Sequence, residues 1–339
     1  MSTEKDNQMV WGRRPGHYEV WYATLSHRES GTGFWIRYTL ESPRDGLGEP
    51  WAELWFARFD ASDPAQTFGI HRRFPISALH DSDNPFSISI GDSEVRNDGM
   101  RGGLAGGGHE VRWSLSWRPA EKTHYLLPGW AYQNPLVITK VLSPNQNVLT
   151  DGEIIVDGRR YELHGDPLGQ THLWGKKHAY AWAWGHCNAF DDPAVSLEAL
   201  SVRLKRGSII LPTLTLFTLN LDGELLDFRQ PWSLPLARAT FHTGKYHFVG
   251  MNAHAKLEGE FTCRPDDMLL TEYVDPDGDP AFCHNSCAAD LTVTLWRRSP
   301  FVGRFREDRK LTVRRMGHFE WAARAGDAFN VKRVHTSVG

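Results

Sequence analysis

The chain has 339 residues and a formal net charge of −3. Its basic residues are scattered, so neither nucleic acid nor an anionic surface is an expected partner on charge alone. The polar opening MSTEKDNQ lacks the apolar stretch of a secretion signal, and no run approaches the roughly 18 apolar residues of a membrane span. A cytoplasmic protein without an integral membrane segment is therefore expected. The unusual numbers are 14 Trp, 17 Phe and 9 Tyr beside 31 Gly and 19 Pro, an aromatic-rich and turn-rich composition typical of β proteins.

Period-two segments recur from the start, and convincing helices are scarce. HYEVWYATL (17–25), FWIRYTL (34–40) and AELWFARFD (52–60) read as consecutive strands. The first link, SHRESGTG, reads as a hairpin loop, and the second, ESPRDGLGEP, is longer. Tyr18, Val20, Tyr22, Phe34, Ile36, Tyr38, Leu40, Leu54 and Phe56 are expected on one core face. The other face would then carry Glu19, Arg37 and Glu53 side by side among Trp21, Trp35 and Trp55, either as a solvated ion ladder or, since the indoles argue against full exposure, as a face that meets the second half or lines a cleft. FSISI (86–90) continues the pattern. GGLAGGGH (102–109) has glycines enough for a phosphate loop. It lacks the following Lys-Ser/Thr and the helix, and so reads as a flexible hairpin connection. EVRWSLSW (110–117), PLVITKVL (135–142) and EIIVDG (153–158) follow as strands.

The next segment, HGDPLGQTHLWGKKHAYAWAWGHCNAF, is the densest in chemistry. Tyr180, Trp182, Trp184, His186, Asn188 and Phe190 share one parity, while the other is all Ala, Gly and Cys. The small parity admits close approach by another layer, so this strand is expected to be covered on both sides. His178 and His186 stand about 27 Å apart on an extended strand, too far to share a metal. His186 and Asn188, two apart on the bulky face, suit proton transfer and substrate orientation, or else a satisfied core.

DDPAVSLEALSVRLKRG (191–207) has helix punctuation, but Leu200, Val202 and Leu204 also alternate with polar residues, and a strand is favoured because its neighbours are strands. In that reading Glu198 points inward, where desolvation raises a carboxyl pKa toward neutrality. As a helix it would point outward and the idea would lapse. Further strands follow at 214–223, 245–251, 290–296 and 310–316. DPDGDP (275–280) spaces three aspartates as a calcium loop does, but lacks that loop's glycine and glutamate and reads as a β-turn. Cys187, Cys263, Cys283 and Cys287 are expected as free thiols, and no metal site is expected because Cys283 and Cys287 lack the usual knuckle spacing. Both halves open on an aromatic alternating strand followed by a meander. This weak internal echo suggests two barrel-like halves divided at 170, residues 1–170 and 171–339.

The residues Trp174-Gly175, Trp182, Trp184, Cys187-Asn188 and Phe190 resemble the aromatic strand of tocopherol cyclases. The pair His172 and Trp174 is similar to the carotenoid 1,2-hydratase (hydroxyneurosporene synthase) and AttH-like group. That resemblance implies an all-β protein of two tandem lipocalin-like antiparallel barrels and cofactor-free proton chemistry on prenyl or polyene molecules. On this reading the expected partner is a hydrophobic small molecule, isoprenoid, polyene or polycyclic, with a homodimer left open. The expected chemistry is acid-catalysed hydration, cyclisation or isomerisation; the alternative is a lipophilic-ligand carrier, and in a third reading the aromatic faces serve only as packing between two barrels. Glu198 or His186 would supply the proton. Trp174, Trp182 and Trp184 would stabilise a carbocation, while His172 and Asn188 orient the substrate or water. Tyr180, Phe190 and Arg37 complete the expected ligand-binding set. All of this requires open apolar volume along the bulky face of the 180–190 strand.

Overall fold

The computed structural model describes residues 3–299, 303–324 and 332–338. Two antiparallel sheets follow one another along the chain. The first begins with a meander, His17–His27, Thr32–Ser42 and Trp51–Asp60, neighbours in space as in sequence, and continues at one edge into Phe68–Pro75. On the other side of His17–His27 lies the long hairpin Thr139–Val156 and Arg159–Gly175, followed by His109–Trp117, Gly99–Gly106, Ser93–Arg96, Phe86–Ile90 and Leu79–Asp83. The sheet curls until Phe68–Pro75 approaches Gly99–Gly106, and its interior is filled by Trp21, Phe34, Ile36, Phe56, Trp113 and Leu163.

The second sheet repeats this plan. Ala181–Cys187, Ser196–Arg203 and Leu214–Leu221 form its opening meander, and a second long hairpin, Pro280–Arg298 and Phe305–Ala323, pairs with its first strand. Ala255–Thr262, Lys245–Met251 and Arg238–His242 complete the curl. The chain thus leaves the first sheet at Gly175 and enters the second at Ala181. After the second barrel, His335–Val338 returns to lie parallel against Phe68–Pro75 at the edge of the first sheet.

Residues 191–207 hold a strand, Ser196–Arg203, and no helix. The Gly-rich stretch is mostly strand, with only Gly107 and Gly108 left to turn the hairpin. PLVITKVL and EIIVDG belong to one strand that starts at Thr139. The face assignment at the start of the chain requires correction. Trp21 pairs with Tyr38 and Glu19 with Leu40, so Glu19 and Trp21 point into the first barrel, while Tyr18, Val20 and Tyr22 share the outer face with Arg37, Glu53 and Trp55. Glu19, Arg37 and Glu53 therefore do not lie side by side. A single residue of register moves every side chain of a strand to the opposite face, and the aromatic alternation of HYEVWYATL is equally apolar on both.

The outer faces of the two barrels press together. Trp35, Trp55, Ala57 and Phe59 of the first pack with Trp182, Tyr273, Cys283, Cys287 and Ala322 of the second in one buried cluster. The approach is close: a Cβ at Gly33 would stand 2.4 Å from the Cys287 carbonyl oxygen. The segment 275–280 does form a turn, closed by the Gly278 N–H on the Asp275 carbonyl, and it fastens this interface. Asp275 accepts from the His178 backbone N–H and from its Nδ1, at 3.0 and 2.6 Å, and lies 2.5 Å from the Arg324 guanidinium. Lys177 reaches both Asp277 and Asp279, and Arg44 of the first barrel reaches Asp277 at 3.7 Å. Among the described residues no helix is long and apolar enough to cross a membrane.

Candidate functional site

The strand Ala181–Cys187 is buried along its whole length. Its small face, with Ala181, Ala183 and Cys187, fills the second barrel. Its bulky face, with Trp182, Trp184 and His186, looks out of that barrel onto the first one, so the indoles stand in the seam between barrels. The alternation survives only while the strand does. Tyr180 lies before it and Phe190 beyond it, and both pack with the interior of the second barrel.

Register places Glu198 directly across from His186. The Glu198 side chain is 2 % exposed. It accepts the indole N–H of Trp184 at 3.0 Å, the Gln146 amide at 2.8 Å and the Ser143 hydroxyl at 3.5 Å. Ser143 and Gln146 sit three apart, and regular alternation would send them to opposite faces. The ladder slips between Leu142 and Asn145 and again between Asn145 and Val148, around Pro144, which has no donor to offer a ladder. The irregularity turns both side chains toward one carboxyl, a common use of bulges beside functional sites. Burial disfavours the charged form and outweighs these donors and the Arg229 charge, so the Glu198 pKa is pushed up to about 7.

The groups around it are neutral bases. His124 Nε2 lies 3.8 Å from Glu198, and burial together with the Arg229 charge pushes His124 down to about 3. Burial alone holds His186 at about 4. The His186 ring stacks between Trp184 and His318, at 5.9 and 5.8 Å, and packs over Gly169, where a Cβ would stand 2.7 Å from Nε2. Among the described residues, the ring nitrogens of His186 and His318 and the carboxamide of Asn188 have no hydrogen-bond partner. A second acid mirrors Glu198 on the other flank of the strand. Glu320 accepts the Trp182 N–H at 2.9 Å, and burial raises its pKa despite that bond and the Arg37 charge.

The structure thus brings Trp184, His186 and Glu198 together, with Trp182 on the same seam, while Asn188 is buried just beyond the strand. It places other expected site residues elsewhere. His172 points into the first barrel, its ring nitrogens 2.7 Å from the Asp6 carbonyl and 2.9 Å from Glu19, and its ring packs with Trp21 and Trp174. Burial would raise the Glu19 pKa. Hydrogen bonds with His17 and His172 and from the Val10 N–H reverse this and leave it below the usual carboxylate range, so Glu19 is a structural anion. Arg37 lies over Tyr273 at 4.2 Å and donates to Thr39. His124, Ser143, Gln146, His318 and Glu320 join the site unanticipated. Glu320 had a legible signal in GHFEWAA, where His318, Glu320 and Ala322 share the parity that faces Trp182 and Trp184.

The expected broad cavity along the indole row is absent among the described residues: Trp184 packs edge-on against Tyr22 at 5.8 Å, and Trp182 stacks on His178 at 5.2 Å. What opens onto the site is a narrow cleft of about 10 Å³ bordered by His124, Leu126, Glu198, Leu200, Leu216 and Arg229. This is below the roughly 300–1,000 Å³ of pockets that enclose whole ligands. As it stands it has room for about one water, with the Glu198 carboxyl at its base.

A sequence profile described as tocopherol cyclase-like matches residues 128–316, a span holding Glu198 and both indoles. An uncharacterised protein of Mycobacterium tuberculosis is 24 % identical over 300 residues, covering 85 % of this chain and 84 % of that protein. The chloroplastic tocopherol cyclase of Zea mays is 22 % identical over 332 residues, 83 % of this chain and 69 % of the relative. Among solved structures, the AttH-like protein of Nitrosomonas europaea superposes with a TM-score of 0.59 at 14 % identity, covering 96 % of this chain and 97 % of the other.

Proposed function

The chain belongs to the tocopherol cyclase-like family, and we propose that it is a cofactor-free acid catalyst acting on the alkene of a lipophilic, isoprenoid-type molecule. The observation that carries this reading is the state of Glu198: a buried carboxyl, poised near neutrality, at the base of the cleft that reaches the seam. Among the expected acids it is the one that holds a proton near pH 7, since His186 is already neutral there. In the proposed step the Glu198 carboxyl gives its proton to one alkene carbon and leaves a carbocation on the other. An oxygen then attacks that cation, from a hydroxyl of the substrate for cyclisation or from water for hydration. The proton released by this oxygen returns to the carboxylate, so the acid is regenerated. The carboxylate formed beside the cation supplies its main stabilisation in a site that excludes bulk water. His124 and the unpaired nitrogens of His186 are the bases available to orient the attacking hydroxyl. The Trp184 N–H fixes the acid's rotamer, and its ring, covered by His186, acts as a wall.

The test compares Glu198→Gln with the wild type on prenylated phenols and linear polyenes. The expected result is turnover lowered at least a hundredfold with ligand binding intact. Undiminished turnover overturns Glu198 as the acid. Binding without product in the wild type supports the carrier alternative instead.

A further inference from the structure

The second barrel carries an appendage that its core does not need. Between Ser196–Arg203 and Leu214–Leu221 the chain leaves the sheet and forms a separate two-stranded hairpin, Lys205–Arg206 against Ile209–Ile210, turning at Gly207. Ile209 is 65 % and Ile210 49 % exposed, and neither belongs to any buried cluster. Lys205 pairs across the hairpin with Ile210 and Arg206 with Ile209, so each face presents one isoleucine and one cation. Neither cation has an anionic side chain within ion-pair distance among the described residues, and the Lys205 ammonium lies over the Tyr180 ring. Such a tip gains nothing from water. In a lipid headgroup layer the isoleucines enter the acyl boundary while the long cationic side chains reach back to phosphates.

Its position gives that tip a use. The two strands it joins are those that place Glu198, Leu200, Leu216 and Thr218 along the cleft, and the hairpin begins five residues beyond Leu200, roughly 17 Å along an extended strand. Two further exposed indoles stand close in sequence to residues of the cleft. Trp130, 57 % exposed, follows Leu126 by four residues, and Trp232, 69 % exposed, follows Arg229 by three. Indoles favour the interface between water and lipid. The chain's net charge is negative, but over this hairpin the local charge is positive.

We propose that the 205–210 hairpin docks the protein onto an anionic lipid bilayer, with Trp130 and Trp232 as interfacial contacts, bringing the cleft next to the phase in which a lipophilic molecule dissolves. Docking itself stands independently of catalysis; only its purpose rests on the function proposed above. The test is sedimentation of the full chain with vesicles of phosphatidylglycerol and phosphatidylcholine, against vesicles of phosphatidylcholine alone. Binding is expected to the anionic vesicles and to fall as salt is added. Lys205→Gln and Arg206→Gln should each weaken it by about fivefold, and Ile209→Asp with Ile210→Asp by at least about tenfold. Thermal unfolding should be unchanged in all of these variants, since the hairpin lies outside both cores. Glu198→Gln should bind vesicles like the wild type, so loss of catalysis and loss of docking are read separately. Absence of vesicle binding, or binding indifferent to the hairpin variants, overturns the proposal. So does a change of oligomeric state on Ile209→Asp, which would make the tip a contact between copies of the chain.

Discussion

Glu198 joins two properties that pull against each other. A folded pKa of about 7 against an ordinary value of 4.5 means that the folded protein holds this proton more tightly than the unfolded chain does. The linked stability is fully present below about pH 4.5 and is lost as pH rises through 7, a change of about 3 kcal/mol. Glu198→Gln removes the titration, and above pH 8 its melting temperature is expected to equal or exceed that of the wild type, while activity is lost. The same sign governs the proposed reaction. Activity should fall on the alkaline side of about pH 7, and Trp184→Phe, which deletes a hydrogen bond that favours the carboxylate, should move that limb to higher pH. A pH–rate profile of both proteins measures the shift; a limb that stays in place removes Trp184 from the acid's environment.

At the scale of strands, the seam depends on close approach. Gly169→Ala would drive a Cβ into the His186 ring, and we expect a loss of about 1–3 kcal/mol in chemical denaturation, with His186 displaced from Trp184. The strands themselves were readable, because alternation reports period two whatever the topology, and Glu198 followed once 196–203 was taken as a strand. The face of the first strand was not readable, since Tyr18, Trp21 and Tyr22 make both sides apolar and only cross-strand register separates them. Ser143 and Gln146 were hidden for a related reason. Alternation assigns them to opposite faces, and their convergence on Glu198 depends on the irregularity around Pro144. His172 was misplaced because the motif that marks it is local, whereas the side of the sheet it occupies is set by pairing with Trp21.

Across the whole molecule, the joint between barrels is held by apolar packing and by a polar fastening at Asp275. Burial would raise that carboxyl, but the His178 hydrogen bonds and the Arg324 charge hold it at about 2. A depressed acid contributes stability above its unfolded value, lost as pH falls from about 4 toward 2. Asp275→Asn is expected to cost about 2 kcal/mol at neutral pH and to flatten the acid limb of melting temperature against pH; an unaltered limb would assign acid sensitivity elsewhere. The described barrels share one plan of meander and long hairpin.

The parallel return of His335–Val338 to the edge of Phe68–Pro75 has a topological result. The second barrel is inserted, as a long excursion, between two contributions to the first. Cutting the crossover near Lys177 would yield fragments still stitched at both ends, and a gene split at that point would deprive the leading piece of its border strand. Complementation of separately expressed pieces should therefore succeed only when the trailing piece keeps its final residues.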